Sequence, residues 1–259
     1  MRLRSVLAVI AASSILGCGG GATDASTPAT PGVFLDAATT AAAVTTSDVA
    51  RMVSPSGASL LASPGNPDPT LGCAFTAGHF VCSVQFAGLS GTTTVTLFAA
   101  NGSAETAYDS LATASVHFDT DVSGLTSVGP WDAVVGRHRR LVESGLAGVE
   151  TTRTWNGSGM DTLQVIDSTG GLPARSYTIF STVTVTNVVV PAPGSGAPWP
   201  AVGTITQRLV LAATSGESSG LTFRLEATVT FNGTARVVLL VGNHSFTLDL
   251  STGVATETG

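Results

Sequence analysis

Residues 177–190 read YTIFSTVTVTNVVV, a run in which β-branched and aromatic side chains dominate and apolar and polar positions alternate. Branching at Cβ restricts χ1 against a helical turn but suits a pleated surface. Alternation places one set of side chains on each face. TTTVTLF (92–98), GTITQRLVLAA (203–213) and LTFRLEATVTF (221–231) follow the same rule. Turn signals separate these runs: Asn101-Gly102, Asn156-Gly157, Gly170-Gly171, PAPGSGAPWP (191–200) and Ser215-Gly216. The pattern predicts an all-β domain, an antiparallel meander of roughly nine to twelve strands. A strand over 177–190 would reach about 45 Å. That length favours a curved sheet or barrel, with a β-sandwich as the alternative.

The last three strands can be registered in advance. A two-residue turn at Asn232-Gly233 would set an apolar row against Thr234 and Arg236. A three-residue loop, 232–234, pairs Val229 with Val237, Ala227 with Leu239 and Leu225 with Val241, giving one apolar face. A Gly242-Asn243 turn has glycine first, as type II′ requires. It pairs Leu239 with Phe246, Val237 with Leu248, Ala235 with Leu250 and, on the wet face, Arg236 with Asp249. At most one short helix is expected, over SAETAYDSLATA (103–114), with Ser103 as cap, Glu105 at its positive end and Tyr108 and Leu111 facing a core.

The segment CAFTAGHFVC suits a tight hairpin turning at Ala77-Gly78. Counting outward, Cys73 and Cys82 fall on a non-hydrogen-bonded pair, where Cα atoms approach to about 4.5 Å and a cross-strand disulfide fits.

The N-terminus carries a different signal. Arg2 and Arg4 precede an apolar run, Val6 to Ile15, and then Ile15-Leu16-Gly17-Cys18. A charged start, a short apolar stretch and a cysteine behind a small residue resemble the lipobox of bacterial lipoproteins. The resemblance covers about twenty residues. It implies cleavage before Cys18, fatty acylation of that cysteine and, with Gly19 rather than Asp following, delivery to the outer membrane. Removing Arg2 and Arg4 takes the net charge from −6 to about −8. Residues 1–17 are then signal peptide. Residues 18–70, rich in small residues and punctuated by Pro and Gly, read as a flexible tether holding the domain off the membrane. Residues 71–259 form one β domain, large enough for a sizeable core. The exported setting permits the Cys73–Cys82 disulfide.

The chain contains no lysine; all eleven basic residues are arginine. An acidic chain with so few cations is a poor nucleic-acid binder. Aromatic residues are too few for the two girdles of an outer-membrane barrel.

Three motifs invite chemistry. In HFDTDVSG (117–124), Asp119, Asp121 and Ser123 have the spacing of calcium-loop ligands, but the twelfth position is Pro130 where a bidentate acid is needed. The competing expectation is a strand with Val116, Phe118 and Val122 inward and His117, Asp119 and Asp121 in water. GESSG (216–220) matches a nucleophile elbow with Ser218 as nucleophile, but a strand pattern follows where a helix is required, leaving Glu226 and His244 as the available acid and base. In WDAVVGRHRRLVE, Arg137 and Arg139 share a strand face with Trp131, Val135 and Leu141, while His138 and Arg140 take the other. With Arg153 they form an anion-binding candidate. The alternative is a cross-strand ion-pair ladder with Glu143, Glu150, Asp119 or Asp121. No cofactor is expected. The expectation is a membrane-anchored, non-enzymatic binding or carrier module for a hydrophobic ligand; the alternatives are a structural envelope protein without a small ligand and, more remotely, a serine hydrolase.

Overall fold

A computed structural model describes residues 28–54, 73–129, 131–148, 151–167, 175–192 and 198–258. Among these residues one helix, α1 (Pro31–Val53), precedes thirteen strands. They are β1 (Cys73–Thr76), β2 (His79–Phe86), β3 (Leu89–Ala99), β4 (Ala104–Glu105), β5 (Thr113–Val128), β6 (Trp131–Ser144) and β7 (Thr152–Asp167). There follow β8 (Ser176–Pro191), β9 (Val202–Ala213), β10 (Thr222–Thr230), β11 (Arg236–Val241), β12 (His244–Asp249) and β13 (Val254–Glu257). All lie in one antiparallel sheet in chain order, with β4 paired to β3 off the main path. β1 and β13 are not paired, so the sheet curls without closing. The domain is all-β, a curved meander rather than a two-sheet sandwich.

Alternation holds through the long strands. β6 buries Trp131, Ala133, Val135, Arg137, Arg139, Leu141 and Glu143, and β8 buries alternate residues from Tyr177 to Val185. The interior is filled by α1. Its buried positions run round the cylinder: Val33, Ala37, Ala38, Ala41, Ala42, Val44, Val49 and Met52, with Asp36, Thr40, Thr45 and Asp48 among them. A helix buried on nearly every side is one enclosed by its partner. Alanine and threonine keep it slim enough to fit. Pro31 sits in its first turn, where the missing N–H costs nothing. At that end Phe34 stacks on His244, ring centroids 4.0 Å apart.

This helix corrects two expectations. The stretch 18–70 is not tether throughout, because residues 31–53 are helical and packed inside the sheet. Residues 18–27 and 55–70, with Cys18, lie outside the described residues. The single helix among the described residues is also not at 103–114. There the chain makes the two-residue β4 and turns, because polar side chains capture the backbone. Asn101 accepts from the Ser103 amide at 2.9 Å, and Asp109 accepts from the Leu111 amide at 2.8 Å. Leu111 points to solvent, 79% exposed.

The cysteine hairpin has the expected register, Cys73 opposite Cys82 and Thr76 opposite His79, and the two sulfurs are bonded. Ala77 and Gly78 both take positive φ, +49° and +86°, the signature of a type I′ turn. The β11–β12 register also agrees: Leu239 faces Phe246, Val237 faces Leu248 and Arg236 faces Asp249. At β10–β11 the register is shifted by two residues from expectation. Val229 pairs with Leu239 and Ala227 with Val241. A two-residue shift preserves which face is apolar. The longer connection is held by Asn232, whose Oδ1 accepts from the Thr234 amide and whose Nδ2 donates to the Arg236 carbonyl. The Gly233 amide also donates to Pro200 O.

Candidate functional site

Inward-facing residues on neighbouring strands line up in rows. One row crosses the sheet through Cys82, Thr93, Thr120, Arg139, Gly159, Val183, Gln207 and Ala227. The next passes through Gly91, Val122, Arg137, Asp161, Ser181 and Leu209. Together they make a polar belt across the inner face of the sheet, and the C-terminal half of α1 faces it.

The belt is organised by two carboxylates. Asp161 receives Nε of Arg137 and Nη2 of Arg139, each at 2.8 Å. Asp48, brought in by α1, receives Nε of Arg139 at 3.1 Å and lies 4.0 Å from Nη1 of Arg137. Arg137 Nη1 also donates to the Ser47 hydroxyl at 2.6 Å, and Arg139 Nη1 donates to the carbonyls of His138 and Met160. Arg139 and Asp161 are almost wholly buried. Burial pulls the Arg139 guanidinium down, but the charges of Asp48 and Asp161 and their hydrogen bonds hold it above its ordinary value. Gly159 makes this geometry possible. A Cβ there would lie 2.6 Å from Arg139 Cδ and 2.3 Å from the His138 carbonyl. Farther round the belt, Gln207 Nε2 donates to the Ala41 carbonyl and to the Thr45 hydroxyl, both at 2.9 Å. These bonds fix the rotation and height of the helix.

Between the last turns of α1 and the β1–β3 end of the sheet lies a partly open cavity of about 1300 Å³. Its lining is mainly apolar, with Val44, Phe86, Val95, Phe118, Trp155 and Leu163 prominent, and Arg51 and Arg137 at the polar belt. Thr252 and Gly253, from the β12–β13 turn, also line it. Phe118 and Trp155 stack at 5.5 Å, and the Arg51 guanidinium lies 5.5 Å from the Phe118 ring centre. Arg51 donates to the Thr93 hydroxyl at 3.3 Å, and Thr93 shares a hydrogen bond with Thr120.

The arginines singled out from sequence therefore divide. Arg137 and Arg139 do share the inner face, paired to Asp48 and Asp161. Arg153 is buried at a different level, 3.2 Å from Glu143. Arg140 is outside, 3.0 Å from Asp119. The four do not form one anion site. The ladder partners Glu143 and Asp119 were foreseeable, but Asp48, Asp161 and Arg51 were missed. Asp48 and Arg51 lie on the unrecognised helix, and Asp161 sits behind a run, Asn156 to Gly159, that reads as a turn but is strand. The signal available was Pro31 followed by a run of small residues with Val33, Ala37, Val44, Asp48 and Met52 near helical spacing.

HFDTDVSG is a strand, not a calcium loop. β5 is paired on both sides through this stretch, and Gly124 continues the ladder opposite Leu89 and Val135. Asp119, Asp121 and Ser123 are set one pleat apart along the outer face, so a loop's converging ligands are not made by these three. Instead Asp121 meets His138 Nδ1 at 2.8 Å, with Asp119 3.6 Å from the same nitrogen. One ligating atom from each of Asp119, Asp121 and His138 lies within 4.8 Å of the others. Ser218 lies half-buried in the β9–β10 connection, which leads into strand β10. Glu226 is paired with Arg208, and His244 bonds Glu257. These residues form no linked triad among the described residues.

No family model matches the chain, and neither the curated proteins nor the solved structures provide a match.

Proposed function

We propose that the protein is an exported lipoprotein, acylated at Cys18 and held at the outer membrane, whose β domain is a non-enzymatic carrier for a hydrophobic ligand. The observation that carries the carrier reading is the cavity of about 1300 Å³ between α1 and the β1–β3 end of the sheet. Ligand sites are concave and mainly apolar, with a few placed polar groups, and span about 300–1,000 Å³. This cavity exceeds that range, which suits a long acyl chain or a polycyclic ligand. A purely structural envelope protein has no use for such a space. The anchor rests on the N-terminal sequence pattern.

Native mass spectrometry of the purified chain tests the carrier reading. A bound species of lipid mass is expected, released by organic extraction. A bare chain that also fails to take up a fluorescent fatty acid would leave the structural alternative. Incorporation of labelled palmitate, lost in Cys18→Ala, tests the anchor.

A further inference from the structure

The charges beside the cavity do not balance. Three guanidiniums, Arg51, Arg137 and Arg139, gather around two carboxylates, Asp48 and Asp161. Arg137 and Arg139 are each bonded to Asp161, and Arg139 also to Asp48. Arg51 has no carboxylate within ion-pair distance among the described residues; its contacts are the Thr93 hydroxyl and the Phe118 ring. A mostly buried cation held by one neutral hydroxyl and one ring face retains unfilled donors. Arg51 lines the cavity, whose remaining surface is mainly apolar.

We infer that the cavity takes an anionic amphiphile, its carboxylate or phosphate head bonded by Arg51 and its hydrocarbon tail laid along Val44, Phe86, Val95 and Leu163. This inference rests on the carrier reading and narrows it to a ligand class. The head group supplies the missing negative charge. Burial presses the Arg51 guanidinium below its ordinary value; Asp48 opposes it, and the neighbouring Arg137 and Arg139 add to it. An anion at this point relieves that pressure. The bond is charge-assisted and sits in a low-dielectric site, so head-group discrimination is large.

The test compares oleate, oleyl phosphate and oleyl alcohol, titrated calorimetrically into the full-length chain at neutral pH. The three share a tail and differ in the head. Charge-assisted hydrogen bonds predict at least about tenfold tighter binding for an anion than for the alcohol, and the tighter anion identifies the head. In Arg51→Gln the anion's advantage over the alcohol falls by about the same factor, whereas Arg51→Lys retains some of it. Equal affinity of wild-type protein for all three overturns the head-group assignment while leaving the carrier reading in place. An anion advantage that survives Arg51→Gln overturns the role of Arg51. Binding of none of the three overturns both readings.

Discussion

Asp161 is the residue on which the interior charge arrangement turns. It is fully buried and accepts from two arginines at once. Removing one member of a buried ion cluster leaves uncompensated charge, which costs about 3–5 kcal/mol. Asp161→Ala is therefore expected to lower stability by about that amount in urea unfolding, and a loss below about 1 kcal/mol would contradict the network's role. His117 behaves differently. It lies on the outer face against Phe98, and partial burial holds its pKa below the ordinary 6.5. The folded protein thus binds fewer protons than the unfolded chain just below pH 6.5, and stability falls as pH drops through that value. His117→Gln removes this contribution. Stability measured at about pH 7.5 and about pH 5.5, either side of the ordinary histidine value, is expected to differ less in the variant than in the wild type. An unchanged or larger difference would count against the assignment.

At the scale of elements, α1 is defined by how little room it has. Ala37, Ala38, Ala41 and Ala42 are fully enclosed, and the Ala41 carbonyl is held by Gln207. Overpacking such a site costs about 1–3 kcal/mol. Ala41→Leu is expected to destabilise by that amount in denaturant melts; no loss would mean that the helix has freedom the packing denies it. The same element marks the boundary of what could be read from sequence. Strands announce themselves by alternation, and β6, β8, β9 and β10 were visible because each face has one environment. The disulfide and the β11–β12 register followed from counting pairs outward from a turn. The helix gave no such sign. Buried on nearly every side, it needs no polar stripe, and its small residues resemble those of a linker. With the helix unseen, Asp48 and Arg51 had no place, and the partners of Arg137 and Arg139 were sought on neighbouring strands. The β10–β11 register missed for a local reason: Asn232 builds its own turn, and hydrophobic parity cannot distinguish registers two residues apart.

For the whole molecule, one meander must hold its shape without closing. Its first hairpin forms one margin of the cavity and is cross-linked at Cys73 and Cys82, a separation of nine residues. A loop of this size contributes about 2–3 kcal/mol in chain-entropy terms. The Cys73→Ser/Cys82→Ser double variant is expected to lose about that amount in denaturant unfolding, with proteolysis beginning at β1; full stability without the bond would assign it no structural role. Polar pairs spread over the outer face, Arg208 with Glu226, Arg140 with Asp119 and Arg236 with Asp249, keep that side compatible with water.

The unpaired margins of β1 and β13 have a consequence for traffic. Anywhere else along the wall, a guest entering sideways must prise neighbouring strands apart and break a ladder of main-chain hydrogen bonds. At this seam no strand-to-strand bond stands in the way among the described residues. For the proposed carrier, the least costly passage is therefore the seam between β1 and β13, where Cys73 and the Thr252-Gly253 turn line the cavity.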